Sequence, residues 1–203
     1  TIRRGCNPIR SMRIRYSLRQ RFIASRRPTA LAADERGAVA VEFAFLAPPF
    51  FALIFAILET SITFLAGQIL DSAVHDASRM VRTGQAQTAS WTITEFRAAL
   101  CERLYGLLDC ADVKLKVSVV TTFQDADFGS PIEEDCSAGA DPDECEWTLV
   151  ESYAAGSGSD IVMVQAHYKW PTLINVPGLG VGALADGTRV LSGVRVFKNE
   201  PFS

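Results

Sequence analysis

Histidine is scarce: only His75 and His167 occur in 203 residues. His75 has Asp71 and Asp76 near it in a helical pattern, and His167 stands in an apolar run. Neither belongs to a nucleophile–base or acid–base constellation, so both read as structural. The G-x-S-x-G elbow of serine hydrolases is missing, and Gly156-Ser157-Gly158-Ser159 sits in a turn with no partnering motif. No P-loop and no dinucleotide fingerprint is present; Gly178-x-Gly180-x-Gly182 follows Pro177 and reads as a turn. The chain is therefore expected to be no enzyme and to need no cofactor.

Charge is missing from one long stretch. Between Ala38 and Leu70 there is no Lys, Arg or Asp, and the acids are Glu42 and Glu59. Phe43–Leu58 is nearly all Phe, Ala, Leu and Ile. About 20 such residues, rising ~1.5 Å each, cross a hydrocarbon layer of roughly 30 Å. Ahead of this run, residues 1–36 hold ten arginines against Asp34 and Glu35, a net of +8. The whole chain carries −3, which leaves −11 for residues 37–203. Arginines on one flank and acids on the other place the N-terminus in the cytoplasm and the residues after about 65 outside. The basic arm is then a topology signal, and no nucleic-acid partner is expected. Three parts follow: a basic cytoplasmic leader at 1–37, a transmembrane helix at 38–65 and an extracytoplasmic domain at 66–203. The chain opens on Thr1 without Met; Met12 is a candidate first residue, and Cys6 ahead of it is set aside.

A secretory signal is a poor match. Phe64-Leu65-Ala66 has a bulky Phe where a cleavage site wants a small residue, and the apolar run is too long. Arg26-Arg27 is followed by Pro-Thr-Ala-Leu-Ala-Ala-Asp-Glu-Arg instead of the apolar core of a twin-arginine signal. What remains is Arg36-Gly37-Ala38-Val39-Ala40-Val41-Glu42-Phe43. A basic leader ends in Gly, an apolar helix follows at once, and a carboxylate sits five residues on with an aromatic after it. A charge inside an apolar span costs roughly 2.5–3.5 kcal/mol at a helix centre and less near its start, so Glu42 is a functional candidate.

This stretch resembles the processing site of type IV prepilin-like proteins, in particular the Flp/Tad (tight adherence) branch. With the helix continuing to Arg79, it is similar to TadE-like minor pseudopilins. The ending Arg195-Val196-Phe197-Lys198-Asn199-Glu200-Pro201-Phe202 also resembles the Asn-Glu-Pro-aromatic ending common among them. The resemblance implies cleavage between Gly37 and Ala38 by a prepilin peptidase, and an assembly role for Glu42 and Phe43. It also implies partnership with other pilins or pseudopilins and pilus assembly proteins, in a bacterial inner membrane with the C-terminal domain periplasmic or extracellular. Two departures separate this chain from a major Flp pilin: Phe43 replaces the usual Tyr, and the domain after the helix is far longer. Cleavage would free the Ala38 amine, with a reference pKa of about 7.7–8.0. Glu42 could pair with that amine in its own or a neighbouring chain.

Pro48-Pro49 lies inside the membrane segment, and consecutive prolines predict a kink or local break there. Beyond the bilayer, Ile62, Leu65, Ile69, Ala73 and Met80 recur at near-helical spacing, predicting a helix that runs to about Arg82 and ends near Gly84. Thr92 with Glu95 is a capping box for a second helix, whose apolar stripe is Ile93, Phe96, Leu100, Leu104 and Leu107. Val113, Leu115, Val117 and Val119 alternate with polar residues as in a strand; Trp147–Tyr153, Ile161–Trp170 and Thr188–Phe197 are further strands. Helices first and strands after predict an α+β fold, an antiparallel sheet of about 3–4 strands packed on the helices, as in pilin-like subunits.

Cys101, Cys110, Cys136 and Cys145 lie in the outer domain. Four cysteines outside the cytoplasm read as two disulfides with three open connectivities, of which the local one, Cys101–Cys110 and Cys136–Cys145, is preferred. The gaps are longer than zinc's usual C-x₂₋₄-C, so no zinc is expected. The acidic stretch Asp125–Glu146 departs from an EF-hand after Asp127, where Gly129 and Ser130 stand, and no metal is expected there either. Two functions fit these features. One is a minor pseudopilin-like structural component of pilus assembly; the other is an uncleaved single-pass envelope protein whose outer domain binds a ligand or surface.

Overall fold

The computed structural model describes residues 37–133, 136, 145–172 and 184–202. The arginine arm with Cys6, Glu134, Asp135 and residues 137–144 of the acidic stretch, and the turn glycines Gly178, Gly180 and Gly182 lie outside the described residues. Two compact units divide the chain between Ala47 and Pro48.

Helix α1 runs Ala38–Arg82, 45 residues without interruption. It ends where Gly84 takes a left-handed φ of 78°, the conformation glycine adopts at least cost. Gln85–Thr88 forms a single turn, α2. Helix α3, Ile93–Cys101, starts on the capping box read from the sequence: the Thr94 amide donates to Thr92 Oγ1 at 3.2 Å, and the Thr92 amide to Glu95 Oε2 at 2.7 Å. It stops before Tyr105 and Gly106, both at positive φ. That early stop corrects the expected stripe. Leu104 is buried, but Leu107 turns outward and Leu108 fills the core instead.

The sheet has the order β2-β1-β3-β4, with β1 Lys114–Val120, β2 Ser152–Tyr153, β3 Ile161–Pro171 and β4 Thr188–Lys198. Pairs β1/β3 and β3/β4 are antiparallel, in registers such as Val117↔Val164 and Gly193↔Ala166. The expectation of a wholly antiparallel sheet is corrected at one edge, where β2 joins β1 in parallel through Lys116↔Ser152 and Val117↔Tyr153. The predicted strand Trp147–Tyr153 shrinks to those two residues, while Trp147 makes an isolated bridge to Ile132.

The main core joins α1, α3 and one face of the sheet: Leu70, Val74 and Val81 meet Phe96, Leu100, Leu115, Val117, Val162 and Val164, all fully buried. The face of α1 that enters this core is Ala66, Leu70, Ala73, Val74, Ala77 and Val81. The expected stripe is therefore corrected. Ile62 and Leu65 point outward, because the small residues Ala66, Ala73 and Ala77 are the ones that let the helix sit close to the strands. The opposing strand is cut to match: a Cβ on Gly193 would lie 3.0 Å from Val74 Cγ2 and 3.4 Å from Asp71 Cα. Strand β3 is buried from Val162 to Tyr168 rather than at alternate residues. Its even positions enter the main core, and its odd ones face the other way. There Gln165 Nε2 donates to the Asp127 carbonyl at 3.2 Å, and Lys169 Nζ donates to the Cys145 carbonyl. A second cluster, Ile132, Cys136 and Cys145 with Trp147, Leu184, Ala185 and Val190, accompanies them. Cys101 is paired with Cys110 and Cys136 with Cys145, with Cα atoms 5.7 and 4.8 Å apart.

Candidate functional site in the long helix

In the first unit, Gly37 is exposed and immediately precedes α1; a Cβ there would meet nothing within 4 Å. Neither packing nor backbone conformation demands a glycine at that position. Val39, Val41, Phe43 and Phe45 are all exposed, so large apolar side chains stand uncovered on two faces of the helix start. Glu42 stands among them, exposed and without a partner among the described residues. Gly37, Glu42 and Phe43 are thus all exposed at the start of the helix, which begins at Ala38.

In the second unit, Pro48 and Pro49 lie inside the helix, which is unbroken through them, although two backbone donors are absent. Phe50, Phe51, Leu53, Ile54, Phe55, Ile57 and Leu58 are exposed around the whole circumference. A helix that is apolar all round is stable only when its surface is covered, as that of a membrane span is by lipid tails or neighbouring helices. Its hydroxyls are turned inward: Thr60 Oγ1 donates to the Ala56 carbonyl at 2.8 Å, and Ser61 Oγ to the Ile57 carbonyl at 2.7 Å. Burial in the head begins at Thr63 and Ala66.

The head holds the far end of this helix through polar contacts as well. Arg195 Nη2 meets Asp71 Oδ2 at 2.5 Å. The Glu200 amide donates to the Arg82 carbonyl at 2.9 Å, and the Phe202 ring lies against Gly84, where a Cβ would come within 2.7 Å of it. Asn199 is 3% exposed; its Nδ2 donates to the Ala155 and Ser157 carbonyls, both at 2.9 Å, and its amide to the Asp160 carbonyl at 2.8 Å. The chain ending Asn199–Phe202 is therefore a clasp, tying β4 to the end of α1 and to the 155–160 turn. Arg97 braces the other edge, donating to the Val113 carbonyl at 2.6 Å and to Glu151 Oε1 at 2.6 Å. Burial pushes the Glu151 carboxyl up, but the Leu115 amide and the Arg97 guanidinium outweigh it and hold the group below its ordinary value. Asp186 behaves alike: burial raises it, and Thr188 and Lys169 bring it below the usual range. His75 is exposed, with Nδ1 at 3.6 Å from Asp76 Oδ1. His167 is buried against Ser192, Nδ1 to Oγ 2.8 Å, and burial lowers its pKa to about 4. The two histidines are on different elements, each with a local partner. Sequence reading missed the clasp, the Arg97–Glu151 brace and Gly193, because each depends on residues far apart in the chain.

One lipid-length apolar helix running into an α+β head fits a single-pass membrane protein. Residues 37–79 match the family model described as TadE-like protein. The match opens on Gly37 and follows α1 to Arg79, so the similarity covers the apolar helix and its continuation into the head. That family points to an envelope protein of the Flp/Tad pilus system, a structural component associated with pilus assembly and the membrane. Comparison with curated proteins and with solved structures finds no match.

Proposed function

We propose that this chain is a minor pseudopilin-like structural component in the assembly of a bacterial Flp/Tad-type pilus, cut between Gly37 and Ala38 by a prepilin peptidase. The observation that carries the reading is Glu42: a carboxylate with no partner among the described residues, on an apolar helix five residues after an exposed glycine at the helix boundary. An unpaired carboxylate in hydrocarbon is costly, and a neighbouring cation offsets that cost. Cleavage after Gly37 creates such a cation, the Ala38 amine, separated from Glu42 by about 6 Å of helix rise. The pairing acts within one chain or between neighbours, and between neighbours it sets the axial register of packed helices. Phe43 and the exposed Phe, Leu and Ile residues after it supply the surface on which those helices pack, and Pro48-Pro49 supplies the joint. The arginine arm holds the N-terminus in the cytoplasm, leaving the head on the other side of the inner membrane.

The test is the N-terminus of the protein isolated from membranes of cells that carry the whole pilus system. A mature chain beginning at Ala38 is expected. A chain that keeps its arginine arm overturns the reading and favours an uncleaved envelope protein. Glu42→Leu separates the assembly role from cleavage: normal processing with loss of assembled pili is expected, whereas unimpaired assembly removes the amine-pairing role.

A further inference from the structure

The last turns of α1 and the end of β4 enclose a cleft of about 220 Å³, lined by His75, Ser78, Arg79, Arg82, Arg195 and Phe197, with Val196 beside them. The four helical residues fall at i, i+3, i+4 and i+7, one stripe of one face. Three guanidinium groups converge there with few acids to balance them. Arg195 is matched by Asp71 at 2.5 Å and also donates from Nη1 to the Val194 carbonyl at 2.8 Å, and Arg82 reaches Glu200 only at 3.7 Å. The Arg79 side chain has no partner among the described residues. Basic residues in the last turn of a helix also favour its dipole, which accounts for Arg79 and Arg82 by themselves. It does not account for Arg195, which comes from a strand, or for the hollow between them. Ser78, on the helical wall, is 4% exposed and its hydroxyl has no hydrogen-bond partner. Val196 and Phe197 add apolar surface suited to the methylene stem of a longer side chain.

Strand β4 is also the outer strand of the described sheet, on the side away from β3. An edge strand of 11 residues presents peptide groups to which another extended segment can pair, apart from the Thr188 and Val194 carbonyls, which accept from the Leu184 amide and from Arg195 Nη1. Its own side chains include Arg189, Arg195 and Lys198 and no acid. Edge and cleft are contiguous, since Arg195, Val196 and Phe197 belong to both.

We infer that the β4 edge and the arginine cleft beside it form one docking surface for an acidic extended segment of a partner protein. The segment pairs with β4 and places a Glu or Asp carboxylate between Arg79, Arg82 and Arg195. Guanidinium groups bind carboxylates through paired, charge-assisted hydrogen bonds, and Arg79 is the guanidinium of the three that has no carboxylate partner among the described residues. This surface does not depend on cleavage at Gly37, so its test and that of the proposed function fail separately.

The experiment uses the full chain in zwitterionic detergent micelles and a fluorescein-labelled short peptide of alternating Glu and Val, followed by anisotropy. Saturable, salt-sensitive binding is expected, weakened about tenfold or more by Arg79→Glu. Arg79→Lys, which keeps the charge, retains most of it, and Lys116→Glu, on β1 and outside the cleft, leaves it unchanged. Hydrogen exchange shows new protection of β4 amides when the peptide is bound. Equal binding by wild type and Arg79→Glu overturns the inference, as does an absence of binding by a folded wild type. Displacement of the peptide by millimolar inorganic phosphate reduces the cleft to a small-anion site and overturns it too. Binding without protection of β4 overturns the strand pairing.

Discussion

Acidification should loosen the head through His167 before any carboxylate contributes. The residue is 5% exposed, lies opposite Ser192 in the β3/β4 pair, and has its pKa lowered by burial from 6.5 to about 4. Between those two values the unfolded chain binds a proton that the folded chain refuses. Stability therefore falls as pH drops from about 6.5 and levels off near 4, where the folded histidine also protonates. A difference of about 2.5 pK units at ~1.36 kcal/mol each amounts to about 3 kcal/mol, most of it lost by pH ~4.5. The carboxylates act in a different window. Glu151 and Asp186 have lowered pKa values, so their contribution is present above their unfolded values and lost only below about pH 4.5. The assay is denaturant unfolding in micelles at several pH values, followed by the fluorescence of Trp91, Trp147 and Trp170, all in the head. His167→Asn keeps a side-chain hydrogen-bonding group but cannot titrate; it should be less stable than wild type at neutral pH and nearly flat from pH ~6.5 to ~4.5. If wild type and variant lose stability in parallel over that window, the buried neutral histidine is not the cause and the reasoning is refuted.

Two further outcomes test how the head grips the helix. Gly193→Leu places side-chain atoms where Val74 Cγ2 and Asp71 Cα already stand, so overpacking should cost about 1–3 kcal/mol in the same unfolding assay; Gly193→Ala, needing only a few tenths of an ångström of adjustment, should cost clearly less. Asn199→Leu strips the Ala155 and Ser157 carbonyls of their shared donor in a buried site and should destabilise the head by about 2 kcal/mol. A truncation after Lys198 should lower the melting temperature at least as far, since it also removes the Glu200–Arg82 backbone bond and the Phe202–Gly84 contact.

Features that are local and repetitive can be read without the fold. Lipid-length apolarity from Ala38 onward, the helix end near Gly84, the Thr92/Glu95 capping box and the long strands β3 and β4 are each written in consecutive residues or in one period, so they are legible without knowing what packs on what. Tertiary structure decided which face of each element is inside. Ile62 and Leu65 are more apolar than Ala66 and Ala73, yet the alanines are buried, because close approach of α1 to Gly193 favours small side chains over hydrophobic ones. Leu108 displaced Leu107 because α3 stops at Cys101, ahead of two residues at positive φ. The parallel pairing of β2, the Asn199–Phe202 clasp and the arginine cleft join residues that are far apart in the chain. Their energies depend on distances that no local pattern encodes, and only the folded arrangement brings Arg195 beside Arg79 and Arg82.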